Sequence, residues 1–137
     1  MAKNDFHAEF AENYEQKCLC VLVLDVSGSM SGNPIRDLNK GLQDFYNDIV
    51  SDETTSQRLE ISIITFNHIV KTVQEPALID NISMPTLNAG GSTAMVNALN
   101  DAIDKVEARK QWYKSTNQAY YRPWIILMTD GEPDDDQ

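Results

Sequence analysis

The chain has 137 residues and 42% hydrophobic content, enough to build one core but not several. Eleven basic residues face 21 acidic ones, and five of the acids fall in the last eight positions of a chain whose net charge is −10. With no basic patch the chain is a poor nucleic-acid binder. It has no apolar run of signal-peptide or membrane-spanning length either, so a cytoplasmic protein that does not enter a membrane is expected.

Residues 1–16 are polar with scattered aromatics and read as an N-terminal arm. Lys17 to Leu24 is a near-continuous apolar run, the pattern of a strand buried on both faces of a parallel sheet. Cys18 and Cys20 lie two apart on it and so face the same side, which disfavours a disulfide between them. They read as buried free thiols of a reducing compartment.

The strand runs into Asp25-Val26-Ser27-Gly28-Ser29-Met30. One carboxylate and two alternate hydroxyls on a tight loop, with Gly28 easing the backbone path, are oxygen donors of the kind hard cations prefer. Asn33-Pro34 then predicts a helix start, with Asn33 as the cap and Pro34 in the first turn. Ile35, Leu38, Leu42, Phe45 and Ile49 recur at helical spacing over residues 34–51.

Leu59 to Phe66 is the second predicted strand, and Asn67-His68 turns the chain into a third, Ile69 to Gln74, whose alternation suits an antiparallel edge. Pro76 to Leu87 reads as a connection. Ala89-Gly90-Gly91-Ser92-Thr93-Ala94 delivers hydroxyls at the start of a second long helix, marked by Met95, Ala98, Leu99, Ala102, Ile103 and Val106. Ser92 and Thr93 are helix-cap candidates as well as cation-ligand candidates. Gln111 to Tyr121 reads as a polar–aromatic loop, and its Trp112, Tyr113, Tyr120 and Tyr121, placed near the connections at the metal edge, are candidates for an interface or for core packing.

Arg122 to Thr129 is the fourth predicted strand, and it also ends in an aspartate, Asp130, followed by Gly131. The order βαββαβ implies an α/β, Rossmann-like, three-layer αβα fold. Its sheet is expected to be mostly parallel with one antiparallel edge strand, in the order 3-2-1-4. Strand C-termini share one edge of such a sheet, where open α/β sheets bind ligands. That edge would gather Asp25, Ser27, Ser29, Thr93 and Asp130. His7 and His68 stand alone, and Asp134-Asp135-Asp136 reads as a solvated acidic tail more readily than as a second cation site.

Asp-Val-Ser-Gly-Ser-Met, Gly-Gly-Ser-Thr-Ala and Thr-Asp-Gly-Glu-Pro, in that order, resemble a von Willebrand factor A domain over residues 17–133. The runs Ser-Gly-Ser-Met-x-Gly-x-Pro-Ile and Thr-Asp-Gly-Glu-Pro resemble those of the bacterial cytoplasmic branch of tellurium-resistance TerY-like proteins. The resemblance implies a metal-ion-dependent adhesion site built from Asp25, Ser27, Ser29, Thr93 and Asp130. The serine hydroxyls would hold Mg²⁺ directly, while Asp25, Thr93 and Asp130 divide between direct and water-mediated contacts. Mn²⁺ and Ca²⁺ also suit oxygen donors. A remaining position on the ion would accept an Asp or Glu carboxylate of a protein partner, with Met30, Gly91, Ser92 and Glu132 as flanking partner-contact candidates. A bacterial stress-response setting with kinase- and phosphatase-like associates is implied in the same way.

Family members continue past Thr-Asp-Gly-Glu-Pro, whereas this sequence stops at Gln137. The domain therefore reads as C-terminally truncated, residues 134–137 as an acidic tail, and strand four as an exposed apolar edge from which self-association is expected. The last helix, whose movement is coupled to ligand binding in integrin-like members, has no counterpart in the sequence.

Two other function classes compete. A Mg²⁺-dependent phosphotransferase or phosphatase also places an aspartate at a strand end, but usually as Asp-x-Asp, and here the second position is Ser27. No phosphate-cradling Gly-x-x-x-x-Gly-Lys run occurs, and Gly28-Ser29-Met30-Ser31-Gly32 carries Met where a serine nucleophile would stand. A purely structural domain, whose metal only braces the loops, is the other alternative. A binding module is expected rather than an enzyme.

Overall fold

A computed structural model gives the fold, and the structure describes residues 13–91 and 94–129. Strand β1 (Cys18–Asp25) pairs in parallel with β2 (Leu59–Phe66) and with β4 (Trp124–Met128), and β2 pairs antiparallel with β3 (Val70–Leu78). The sheet order β3-β2-β1-β4 is the expected one. In β1 the side chains alternate between two cores. Cys20, Leu22 and Leu24 join Ile61, Ile63 and Leu42 on one face, while Leu19, Val21 and Val23 join Ile64, Phe66, Ala98 and Ala102 on the other. That double burial is why β1 reads as an unbroken apolar run.

Helix α1 (Asn33–Val50) packs on the first face and α3 (Met95–Ser115) on the second, which gives the three layers. The start of α1 differs from expectation. Asn33 is already helical and Gly32, with φ +82°, occupies the cap position without a side-chain bond. The Asn33 side chain instead accepts from Arg36 within the first turn.

Helix α2 (Glu53–Arg58) has no counterpart among the elements expected from the sequence. Its six residues carry no apolar face. Asp52 starts it by accepting the Thr55 N–H at 3.2 Å, and Glu53 and Arg58 stand at the ends the helix dipole favours.

Strand β3 runs on through Pro76 to Leu78, past the predicted end at Gln74. The register slips between Ile61 and Ile63, and Ser62 Oγ donates to the Gln74 carbonyl at 2.8 Å inside that irregularity. An edge strand with a bulge tolerates a proline that an inner strand would not. Helix α3 likewise extends through residues 111–115, where a loop is expected from the sequence.

Among the described residues β4 is an outer strand of the sheet, with Trp124 63% exposed and Ile125 to Met128 exposed as well. Between it and α1 runs an apolar groove of about 430 Å³, lined mainly by Leu22, Leu38, Leu42, Phe45, Ile126 and Met128. On the apolar stripe of α1 only Leu42 is buried, and Leu38 and Phe45 stay half-buried where they line the groove. No helix among the described residues is long and apolar enough to cross a membrane.

Both cysteines are free thiols, Cys20 buried and Cys18 half-buried. Burial, and then the neighbouring Cys18, pushes the Cys20 thiol up to about 11, and burial alone raises Cys18. A folded-state value above the ordinary 9.0 means that the unfolded chain gives up its proton first. The stabilisation from Cys20 is therefore complete below pH 9 and is lost as pH rises through about 11. Thermal melts across that window are expected to show the decline in wild type and a smaller one in Cys20→Ala. Equal slopes would contradict the burial argument.

Candidate metal centre

The parallel strands β1, β2 and β4 deliver their C-terminal ends to one edge. There Val26 N–H continues the ladder to the Phe66 carbonyl at 2.9 Å, and the chain turns through a single 3₁₀ turn, Gly28–Met30. Asp25 ends β1 with no exposed surface. Its Oδ1 accepts the Ser27 N–H at 2.8 Å, and its Oδ2 accepts the Thr129 hydroxyl from just beyond β4. Among the described residues, no lysine, arginine or histidine is paired with this carboxylate. Burying a carboxylate without a countercharge is costly.

Ser27 and Ser29 point the same way, their hydroxyl oxygens 3.1 Å apart. Adjacent ligands of an octahedral Mg²⁺ with bonds of 2.0–2.1 Å stand about 2.9 Å apart, so this spacing fits two neighbouring coordination positions. Ser27 is buried and Ser29 exposed, which orients the pair from the core toward solvent. The donor set is oxygen-only. Among the described residues there is no group of three His, Cys, Asp or Glu side chains that could hold a metal ion.

The second loop closes against the first. Gly90 N–H donates to the Val26 carbonyl at 2.7 Å, and Gly28 N–H donates to the Gly91 carbonyl at 2.8 Å. Gly91 has φ +88°, and a Cβ there would lie 2.5 Å from His68 Nδ1, so both conformation and space call for glycine. Gly28 needs no such freedom. Its φ is ordinary, and an added Cβ would only touch the Gly91 carbonyl at 3.5 Å.

The structure thus brings Asp25, Ser27 and Ser29 together, with Gly91 beside them. Thr93 and Asp130 of the expected ligand set, and Ser92 and Glu132 of the expected contact set, lie outside the described residues. The cap position of α3 belongs to Ala94, without a side-chain bond, rather than to Ser92 or Thr93. Met30, expected as a partner contact, is buried and so presents no side chain to a partner.

Two residues outside the expected set belong to the site. Thr129 directly precedes Asp130 and supplies the bond to Asp25. Asn67 follows β2 and grips the second loop.

Of the aromatic residues expected either at an interface or in the core, Tyr113 takes the core place, and the correction concerns position: the cluster is not near the metal edge. Tyr113 is fully buried and donates its hydroxyl to Glu60 near the start of β2, at the end of the sheet opposite Asp25. Arg109 lies over the Trp112 ring at 3.7 Å, and Tyr113 stacks on Tyr120 with centroids 5.0 Å apart. These side chains pack around a buried ion pair, away from the candidate site.

The von Willebrand factor type A domain matches residues 20–137. The chain belongs to that family. Domains of the family are commonly protein-interaction modules. No curated protein matches the sequence. Among solved structures, the vWF domain of the type V pili tip protein Mfa5 from Porphyromonas gingivalis superposes with TM-score 0.66 at 18% identity, over 86% of this chain and 39% of that one. The ArnB paralog VWA2 from Sulfolobus acidocaldarius gives 0.58 at 21% identity, over 91% of this chain and 30% of that one. The D319A mutant of the PilB minor pilin from Streptococcus sanguinis gives 0.63 at 17%, over 85% of this chain and 30% of that one. The chain thus spans well under half the length of these three proteins, and likeness at such identity concerns the fold alone.

Proposed function

We propose that this von Willebrand factor type A domain binds a protein partner through a divalent cation, Mg²⁺ in the first instance, held at the Asp25 loop. A single observation carries the reading. A fully buried carboxylate, with no countercharge among the described residues, shares a tight turn with two hydroxyls spaced for adjacent metal positions. Thr93 and Asp130 complete the proposed ligand set from the two neighbouring loops. An ion held by three hydroxyls and two carboxylates, not all of them in direct contact, keeps exchangeable waters, and a partner Asp or Glu can replace one of those waters. The domain then acts as an interaction module and not as an enzyme.

The sequence runs shared with the TerY-like branch support a cytoplasmic stress-response setting, where Cys18 and Cys20 stay reduced. The exposed β4 edge supports, as an additional partner, a second copy of the chain.

Calorimetric titration of the chelator-treated protein with Mg²⁺ and Mn²⁺ is expected to show one saturable site per chain. Water-proton relaxation of the Mn²⁺ form should then fall when a glutamate-bearing peptide is added, as coordinated water leaves. Absence of saturable binding would sink the metal reading. Binding with no response to carboxylate would leave a cation that only braces the loops.

A further inference from the structure

We propose that Asn67 is the positioning residue of the loop that meets the Asp25 turn, gripping it at Gly90 and at Ala94. The inference rests on the metal reading above for its consequence, though not for its geometry. On the near side, Asn67 Nδ2 donates to the Gly90 carbonyl at 2.7 Å. On the far side, the Asn67 carbonyl accepts the Ala94 N–H at 2.6 Å, where α3 is about to begin.

The same side chain fixes its own turn. Its Oδ1 accepts the Ile69 N–H at 3.0 Å, and Asn67 N–H donates to the Ile69 carbonyl at 3.1 Å. That turn aims the Asn67 carbonyl at Ala94. The side chain therefore controls both grips, one directly and one through the backbone it braces. Gly91, pressed on the neighbouring His68, lets the loop sit this close.

Gly90 and Gly91 also bond Val26 and Gly28 of the Asp25 loop. Asn67 consequently ties the end of β2, the Asp25 loop and the start of α3 into one frame. The amide supplies the donor for Gly90 and the acceptor for Ile69 from two separate atoms of one short side chain. Aspartate keeps the acceptor and loses the donor, and alanine loses both.

Outer residues that orient metal ligands commonly matter about tenfold to a hundredfold for metal affinity. Asn67→Ala is expected to weaken Mn²⁺ binding by about tenfold or more, read by electron paramagnetic resonance of the free ion. In metal-free protein, hydrogen exchange is expected to speed up at the Gly90 and Ala94 amides in Asn67→Ala, and at the Gly90 amide alone in Asn67→Asp, which loses only the bond to the Gly90 carbonyl. The aspartate variant retains the Ile69 turn and serves if the alanine variant does not fold.

Unchanged exchange at Gly90 in the folded variants overturns the grip. Faster exchange with unchanged Mn²⁺ affinity overturns the positioning role and leaves only a structural asparagine. No Mn²⁺ binding by the wild type overturns the metal reading and the positioning role with it. In that case the exchange comparison still decides, on its own, whether the grip exists.

Discussion

Replacing Arg109 with alanine is expected to lower the melting temperature by about 10–20 °C. Breaking a buried ion pair by removing one partner costs about 3–5 kcal/mol, and for a chain of this length each kcal/mol moves the midpoint by roughly 3–5 °C. The pair qualifies on geometry and on burial. Arg109 Nε and one terminal nitrogen donate to the two oxygens of Glu60 at 2.9 and 2.7 Å, and both side chains are almost fully buried. Tyr113 donates a further bond to the same carboxylate, and burial first, then the Glu60 charge, raise its hydroxyl far above the ordinary value.

Removing Arg109 leaves that carboxylate buried with only a phenol for support. The loss therefore exceeds what truncation of an exposed pair such as Lys40–Asp44 would cause. The apolar double variant Glu60→Leu with Arg109→Met is expected to recover most of the loss, because it removes both charges together. A drop of less than about 3 °C in Arg109→Ala would show that water reaches the pair.

What the sequence discloses here follows from which interactions are periodic. Strand β1 is legible because both its faces are covered, which writes an apolar run, and the 3-2-1-4 order follows from the βαββαβ pattern. The Asp25-Ser27-Ser29 constellation is legible because one short turn carries it. Helix α2 is not, since a six-residue helix held by the Asp52 cap leaves no apolar stripe. The Glu60–Arg109–Tyr113 cluster joins residues about fifty positions apart, and neither its partners nor its burial leaves a local mark. Asn67 is hidden for another reason. It binds backbone carbonyls and N–H groups, which every sequence supplies, so only the fold shows which ones it meets. The β3 extension through Pro76 is hidden because a proline reads as a break unless its strand is known to be an edge.

Asp25→Asn is expected to reverse the stability ranking of variant and wild type between chelator and saturating Mg²⁺. In chelator the wild-type carboxylate is fully buried, with the Ser27 N–H and the Thr129 hydroxyl as donors. Two bonds to a charged acceptor return about 1.5–3 kcal/mol each, set against several kcal/mol for taking the ion out of water. Asparagine has no charge to desolvate. It keeps an acceptor for Ser27 and offers Nδ2 to the Thr129 oxygen. The metal-free variant should therefore melt level with wild type or a few degrees above it.

With Mg²⁺ at about a hundred times its dissociation constant, wild type gains about 2.7 kcal/mol, close to 10 °C, while the variant gains nothing. Melts of both proteins in chelator and in Mg²⁺ decide the matter. If Asp25→Asn melts well below wild type in chelator as well, the charge holds the loops together without a cation, and desolvation of Asp25 is not what drives metal capture. If wild type alone rises with Mg²⁺, the cost of burying Asp25 is what the cation relieves, and that desolvation becomes the driving force for metal capture.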